Sequence, residues 1–363
     1  IQEQTIPALI EGRDLLGVAQ TGTGKTAAFL LPILQHLEGK RARPHHPQAL
    51  ILAPTRELAA QIEASIKTYG RHLKLRSTAI FGGVSQQRQV QALQRGIDIL
   101  VATPGRLLDL IGQRKVALDF VTHFVLDEAD RMLDMGFLPD MKKIIKLLPK
   151  RRQSMFFSAT MPKQASELAS TILKDPLRVS IRPEQPTVER IEQHIIWVGK
   201  KQKTALLIDL LQKEDKAIVF TRTKHMANRV AEKLCKAGIS AAAIHGNKSQ
   251  GARTKALGGF RAGQVRVLVA TDIAARGIDV DDISHVYNYE LPNEAESYVH
   301  RIGRTARAGA GGIAIALVDG PERDLLRNIE KLIGEKIPAL AHPLAGNITQ
   351  GPPENFGRRG KRR

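Results

Sequence analysis

Short apolar runs alternate with segments of helical periodicity along the first half of the chain. Apolar positions recur at helical spacing through segments 56–69 and 85–95. This alternation predicts repeated strand–helix–strand units and a parallel sheet that is buried on both faces. The apolar runs that have the length of buried strands span residues 49–53, 97–102, 120–126 and 154–157.

The second half repeats the scheme, with helical spacing over 224–237. Residues 181–187 (IRPEQPT) separate the halves, contain two prolines and have no periodicity, which indicates a linker. A length of 363 residues also favours two hydrophobic cores. The second-half strands are predicted at 217–220, 241–244, 265–270, 283–287 and 313–318. The expected organisation is a first domain at 1–181, a linker at 182–190, a second domain at 191–333 and a basic, disordered tail at 334–363.

The net charge of +19 predicts an attractive field for a polyanion. Only 4% of the residues are aromatic, which argues against a platform that stacks successive bases. A protein of this composition is expected to hold sugar and phosphate instead.

The single cysteine, Cys235, can form no internal disulfide and no thiol cluster for a metal. A single cysteine fits a reducing compartment, so we expect a cytoplasmic protein. No apolar run approaches the length of a membrane span, and we expect no membrane partner. The chain begins at Ile1 with neither a methionine nor a signal-like stretch, and we interpret it as a piece of a longer protein.

A glycine-rich phosphate-binding motif occupies residues 19–26 (AQTGTGKT). It follows a predicted strand at 14–18 and opens a helix, as a loop that surrounds phosphates requires. Gly22 and Gly24 allow backbone N–H groups to converge on phosphate oxygens. Lys25 is placed to reach the β and γ phosphates, and Thr26 to bind Mg²⁺. The alternative is a glycine-rich turn without function.

Residues 127–130 (DEAD) follow the apolar strand that ends with HFVL, which predicts carboxylates at the edge of the sheet where open α/β folds bind ligands. Asp127 is expected to hold Mg²⁺, and Glu128 to orient or deprotonate the attacking water. The alternative is an acidic helix start that the helix dipole favours. The phosphate-binding motif in the same chain favours catalysis.

Together these motifs resemble the DEAD-box family of RNA helicases from residue 1 to about residue 333. Segment 245–250 (HGNKSQ) with Arg253, and the basic tail, are most similar to the bacterial RhlE-type subgroup. Ala19 and Ala306 stand where the family usually has glycine, and the upstream part of its adenine-reading motif would precede Ile1. The other matching strings are 54–58 (PTREL), 82–83 (GG), 103–106 (TPGR), 158–160 (SAT), 270–279 (ATDIAARGID) and 300–307 (HRIGRTAR).

The resemblance implies an α/β fold of two tandem RecA-like domains, each a mainly parallel sheet flanked by helices, with an ATP cleft between them. It implies an ATP-dependent RNA helicase that hydrolyses ATP when RNA closes the domains and that locally separates duplexes or remodels RNA–protein complexes. The implied catalytic residues are Lys25, Asp127, Glu128 and the arginine fingers Arg304 and Arg307. The implied nucleotide-binding residues are Gln2, Thr21, Gly22, Thr23, Gly24, Lys25, Thr26 and Asp279, with Thr26 and Asp127 as Mg²⁺ ligands.

The implied RNA contacts are mostly small, hydroxyl or arginine residues, which suit phosphates and 2′-OH groups and do not read bases. They are Pro54, Thr55, Arg56, Gly83, Thr103, Gly105 and Arg106 in the first half and Arg222, Gly246, Arg253, Thr271 and Arg276 in the second. The residues implied to couple hydrolysis to strand separation are Asp130, Ser158, Thr160 and His300.

Two other functions fit parts of the pattern. Residues that hold phosphate do not identify the sugar, so a DNA translocase or remodeller on the same ATPase core is one alternative. A non-catalytic RNA clamp is the other, and the intact Lys25, Glu128 and Arg307 argue against it. For partners we expect RNA bound without sequence preference, with ribosomal or RNA-decay proteins as candidates, and a monomeric chain.

Overall fold

A computed structural model describes residues 1–19, 22–39, 43–181, 191–213, 216–275, 283–305 and 311–345. The chain divides into two compact units, Ile1–Glu184 and Gln185–Arg363. The predicted linker, 182–190, lies outside the described residues. Within the described ranges, no helix is both long enough and apolar enough to cross a membrane.

The first unit contains a seven-stranded sheet in the order β3-β4-β2-β5-β6-β1-β7, and every described strand pair is parallel. Its strands are β1 Leu15–Ala19, β2 Ala49–Leu52, β3 Ser77–Ile80, β4 Ile99–Ala102, β5 His123–Leu126, β6 Gln153–Ser158 and β7 Leu177–Ile181. Its helices are α1 Gln2–Ile10, α2 Lys25–Leu37, α3 Arg56–Tyr69, α4 Gln86–Gln94, α5 Pro104–Gly112, α6 Ala129–Asp134, α7 Leu138–Leu147 and α8 Lys163–Ile172.

The inner strands β2 and β4 of this sheet are apolar at every position because helices cover both faces. In β2, Leu50 and Leu52 belong to one core cluster while Ala49 and Ile51 belong to the other. All four side chains are fully buried. The uninterrupted apolar run in the sequence is therefore the signature of a central parallel strand.

The second unit contains a six-stranded sheet in the order β10-β11-β9-β12-β13-β8, again with parallel pairs throughout its described strands. Its strands are β8 Ile191–Trp197, β9 Ala217–Phe220, β10 Ala241–Ile244, β11 Val267–Ala270, β12 His285–Asn288 and β13 Gly312–Val318. Its helices are α9 Lys203–Leu210, α10 Lys224–Lys236, α11 Gln250–Arg261, α12 Asp272–Ala275, α13 Ala295–Ile302 and α14 Arg323–Ile333. Short 3-10 helices lie at Leu211–Lys213, Gly320–Glu322 and Pro343–Ala345.

The first part of the predicted disordered tail is ordered. After α14, Gly334 turns the chain with φ 81°, and the following segment lies beside β8, where the Ile195 N–H donates to Pro338 O at 2.9 Å and Leu340 N–H donates to Ile195 O at 2.8 Å. Ile337 and Ala345 are buried. The expectation of disorder is therefore wrong for residues 334–345, because two apolar side chains and a β-bridge attach this segment to the unit. Residues 346–363 lie outside the described residues.

Candidate functional site

The sheet topology of the first unit separates the predicted nucleotide residues from the predicted nucleic-acid residues. The phosphate-binding motif, residues 127–130 and residues 158–160 follow or end β1, β5 and β6, which are neighbours in the sheet. The other predicted contacts follow β2, β3 and β4, which are also neighbours. Parallel strands all end at the same edge, so two adjoining sites lie along one edge.

The phosphate-binding motif forms a loop that turns through left-handed glycines into α2. Gly22 and Gly24 have φ values of 87° and 86°, a region in which residues with a Cβ are strained. Lys25 is the first residue of α2 and is buried, and its ammonium donates to Ala19 O at 2.6 Å. Gln2 lies against this loop, where its Nε2 donates to Gly24 O at 3.2 Å. The predicted adenine-reading residue and the predicted phosphate-binding residue therefore meet at one loop.

Asp127 directly follows β5 and is 2% exposed. Burial raises the pKa of its carboxyl from 3.8 to about 7, opposed by the Lys25 ammonium and reinforced by the Glu128 charge. The influence of Lys25 on this pKa indicates that the lysine and the carboxylate, far apart in sequence, are close in space.

Glu128 has an unusual backbone and a cationic partner. Its φ is 52°, in the left-handed region, and it precedes the first turn of α6. The Arg131 Nη1 donates to its Oε2 at 2.5 Å, and both side chains are largely buried. The sequence interpretation overlooked Arg131. Its i,i+3 spacing from Glu128 was the available signal, because residues at that spacing on a helix are neighbours.

Three of the predicted coupling residues contact one another. The Ser158 Oγ accepts from the Asp130 N–H at 3.1 Å and donates to Thr160 O at 2.7 Å. The Asp130 Oδ2 accepts from both the N–H and the hydroxyl of Thr160, at 2.8 and 2.9 Å. This network connects the start of α6 to the loop after β6.

The predicted nucleic-acid contacts of the first unit lie where their strands end. Thr55 caps α3, with its hydroxyl accepting from the Leu58 N–H at 3.3 Å. The guanidinium of Arg56 lies against Gly83, which has φ 76°, and occupies the space that a Cβ there would take. Arg106 contacts Gln89 at 3.4 Å, and that residue was absent from the predicted set. The remaining members, Pro54, Thr103 and Gly105, begin or precede the helices α3 and α5.

The second unit repeats this arrangement on β9, β10 and β11, which are neighbouring strands. Arg222, Gly246 and Thr271 follow the ends of these strands. The Arg222 Nη2 lies 3.3 Å from Glu322 Oε1 and 3.7 Å from Glu290 Oε1. Burial lowers the pKa of the neighbouring His245, and the cations Lys248, Lys224 and Arg253 lower it further. Positive charge is therefore concentrated around Gly246.

His300 and Arg304 lie on or just after α13, which a buried arginine anchors. Arg301 is 1% exposed and binds Asp272 through two nitrogens, at 2.5 and 2.8 Å. Its Nη1 donates to Asn288 Oδ1 at 2.9 Å. His300 and Arg304 line the same small hollow as Arg301 and Asp272. Arg301 and Asp272 were part of the recognised strings but were assigned no role.

Four predicted site residues, Thr21, Arg276, Asp279 and Arg307, lie outside the described residues. Among the described residues, no cluster of three or more His, Cys, Asp or Glu side chains could hold a metal ion. Mg²⁺ in phosphoryl-transfer sites is typically held by one or two carboxylates together with substrate phosphates and water. Asp127 and Thr26 are a donor set of this kind.

Two family models match the chain. Residues 1–168 match the model described as DEAD/DEAH box helicase, and residues 202–309 match the Helicase conserved C-terminal domain. The two matches fall in the two structural units.

Curated relatives match nearly the whole chain. The RNA helicase CrhR of Synechocystis sp. is 46% identical over 346 residues, covering 94% of this chain and 70% of the relative. The ATP-dependent RNA helicase CshA of Limosilactobacillus reuteri is 42% identical over 353 residues, covering 97% of this chain and 70% of the relative. Among solved structures, S. cerevisiae Dbp5 bound to RNA and ADP BeF3 matches with a TM-score of 0.82 at 33% identity, covering 94% of this chain and 89% of that one.

Proposed function

Because the chain belongs to the DEAD-box family of RNA helicases, we propose that residues of both units share the work of an RNA-stimulated ATPase. The activity follows from family membership: the chain is an ATP-dependent RNA helicase. The observation that best supports the division of roles is the convergence of Lys25, Asp127 and Glu128 at the ends of β1 and β5.

In this proposal the first unit binds ATP and prepares the attacking water. Lys25 and the backbone of the motif from Thr21 to Gly24 hold the phosphates. Thr26 and Asp127 hold Mg²⁺, which supplies charge neutralisation at the phosphates when bound. Glu128 orients the water and accepts its proton. Gln2 recognises adenine, since its side-chain amide both donates and accepts hydrogen bonds. Asp279 of the second unit also binds the nucleotide.

The second proposed site, here called the RNA track, binds the sugar–phosphate backbone of RNA without sequence preference. Hydroxyls, glycine backbone amides and guanidinium groups at the ends of β2, β3 and β4, and of β9, β10 and β11, suit phosphates and 2′-OH groups. The relatives are named RNA helicases, so the alternative of a DNA translocase is not favoured. The non-catalytic clamp is disfavoured because Lys25 and Glu128 are intact.

We further propose that RNA bound to both units favours their closure and brings Arg304 and Arg307 to the phosphates. A guanidinium can stabilise the transferring phosphoryl group only when it reaches the nucleotide. Asp130, Ser158 and Thr160 would pass the change to the RNA track, since they form one hydrogen-bond network. His300, which lies beside Arg304 in the second unit, would take part in the same coupling.

The domain boundaries, location and partners complete the proposal. The domains are 1–181 and 191–333, joined by the linker 182–190; residues 334–345 attach to the second domain, and residues 346–363 remain a basic tail. We propose a cytoplasmic monomer of the RhlE-type subgroup that works with ribosomal or RNA-decay proteins.

Two variants separate phosphate binding from catalysis. Lys25→Ala should abolish ATP binding because it removes the cation that holds the phosphates. Glu128→Gln should retain ATP affinity and lose turnover by about 10²-fold or more, since only the proton acceptor is lost. The measurements are the ATP dissociation constant and kcat with saturating RNA. An equal loss of affinity in both variants would contradict these roles.

A further inference from the structure

A dense group of exposed cations lies on α7 and the loop that follows it. Segment 138–152 contains six Lys or Arg residues and a single acid, Asp140, so it carries a net +5 of the chain's +19. Five of these cations are exposed, and Lys174, which follows α8, is also exposed. The six exposed cations, here called the basic face, are Lys142, Lys143, Lys146, Lys150, Arg151 and Lys174.

The basic face is fixed by the packing of α7. Met141 and Ile144 on the opposite side of this helix are fully buried in the core, so Lys142, Lys143 and Lys146 point away from it. The Lys174 Nζ donates to Lys150 O at 3.1 Å, which brings a separate segment onto the same surface. Residues three or four apart on a helix are about 5–6 Å apart at Cβ, so these charges repel one another in the absence of an anion.

Structural roles do not account for these cations. Lys146 lies in the last turn of α7, where a cation interacts favourably with the helix dipole. This stabilisation does not extend to Lys142 or Lys143. Arg152 is different: its Nη1 donates to Pro149 O at 2.6 Å and its guanidinium lies over the Phe124 ring. None of the six cations forms an ion pair within the described part of the chain, although Asp140 and Asp175 are close in sequence.

The loop end of the basic face, at Lys150 and Arg151, lies at the opposite edge of the sheet from the proposed RNA track of the first unit. The track lies where β2, β3 and β4 end, whereas the loop after α7 enters the start of β6 at Gln153. Strands of four to six residues separate the two edges, a distance of about 13–20 Å. A short RNA segment that is bound in the track therefore does not also reach the loop end of the basic face.

We propose that the basic face binds the sugar–phosphate backbone of a second stretch of RNA, outside the track, without sequence preference. Lysines on a convex helix surface supply point charges for phosphates and offer no pocket for bases. The choice of RNA as the polyanion rests on the proposed function. A tether of this kind raises the local concentration of the substrate beside the track, so it matters only for RNA long enough to reach both surfaces.

The test compares two RNAs and two triple variants. The short RNA is the smallest single strand that fully stimulates ATPase activity, and the long RNA is the same sequence extended by about 30 unstructured nucleotides. One variant is Lys142→Gln/Lys143→Gln/Lys146→Gln. The control variant, Lys74→Gln/Lys200→Gln/Lys201→Gln, removes the same charge from exposed lysines elsewhere. Binding is measured across a series of salt concentrations.

The long RNA should bind the natural chain at least about tenfold more tightly than the short RNA, and the α7 variant should lose most of that advantage. Its salt slope on long RNA should fall by about 2, since each phosphate contact on a single strand contributes about 0.7. Turnover with saturating short RNA should not change, which also shows that the variant is folded. The control should keep the advantage.

Three results would overturn the proposal. An equal loss in the control would mean that only the overall charge matters, and an equal loss on short RNA would place these lysines in the track. Unchanged binding of long RNA, together with lost binding to phosphatidylglycerol vesicles, would identify a membrane surface as the partner. Absence of ATPase stimulation by any RNA would instead contradict the proposed function, while the affinity comparison, made with the smallest single strand that binds the natural chain as the short RNA, would still test the basic face.

Discussion

At the scale of a single residue, burial in the fold changes the pKa of the Asp127 carboxyl. Its ordinary pKa of 3.8 is raised to about 7, mainly by burial. Between about pH 4 and 7 the folded chain holds a proton that the unfolded chain has released. The protonated Asp127 carboxyl therefore contributes stability that is fully present below pH 4 and is lost as the pH rises through 7. The residue proposed to hold Mg²⁺ therefore carries a stability cost when it is ionised in the absence of Mg²⁺.

Asp127→Asn should therefore stabilise the protein at pH 8 when neither Mg²⁺ nor nucleotide is present. The gain should be on the order of 2–4 kcal/mol and should shrink towards pH 5, because the neutral amide avoids a buried charge. Urea unfolding at several pH values measures it, with Asp324→Asn on the exposed side of α14 as the control. A difference that does not change with pH would show that the Asp127 carboxyl is not the cause.

The identity of these residues was predictable from sequence, but their surroundings were not. Lys25, Asp127 and Glu128 stood in motifs whose spacing indicates phosphate chemistry. The i,i+3 spacing of Glu128 and Arg131 indicates that their side chains can meet, but no sequence pattern predicts the positive φ of Glu128.

At the scale of elements, the apolar central strands were the predictable part of the fold. The edge strands β3 and β7 were not predicted, because each has a solvated side and carries polar residues such as Ser77 and Arg178. The segment 334–345 was misinterpreted for a related reason: its attachment depends on Ile337 and on main-chain hydrogen bonds to β8, which leave no periodicity.

Arg301 is the side chain that holds α13 in the second unit. Arg301→Met should lower the unfolding free energy of the chain by about 3 kcal/mol, since it leaves the buried Asn288 and the partly exposed Asp272 without this partner. Arg304→Met, one turn later and partly exposed, should change stability by less than about 1 kcal/mol. Chemical unfolding of both variants is the measurement. Similar losses in the two would mean that Arg301 is not the anchor.

At the scale of the whole molecule, the proposed catalytic residues are divided between two units. Lys25, Asp127 and Glu128 belong to the first unit, and Arg304 to the second. Each unit also carries its own half of the proposed RNA track. A ligand that binds both halves better when they are close shifts the chain towards closure, and by reciprocity ATP should tighten RNA binding.

The most direct test is the ATPase rate of the natural chain and of Arg307→Ala, each with and without saturating RNA. An arginine delivered by closure stabilises the transition state and raises kcat by about 10³- to 10⁵-fold, and it does so only when RNA is bound. The variant should therefore lose nearly all RNA-stimulated turnover and keep the low rate measured without RNA. Equal fractional losses with and without RNA would show that closure does not deliver this arginine, and would contradict the account.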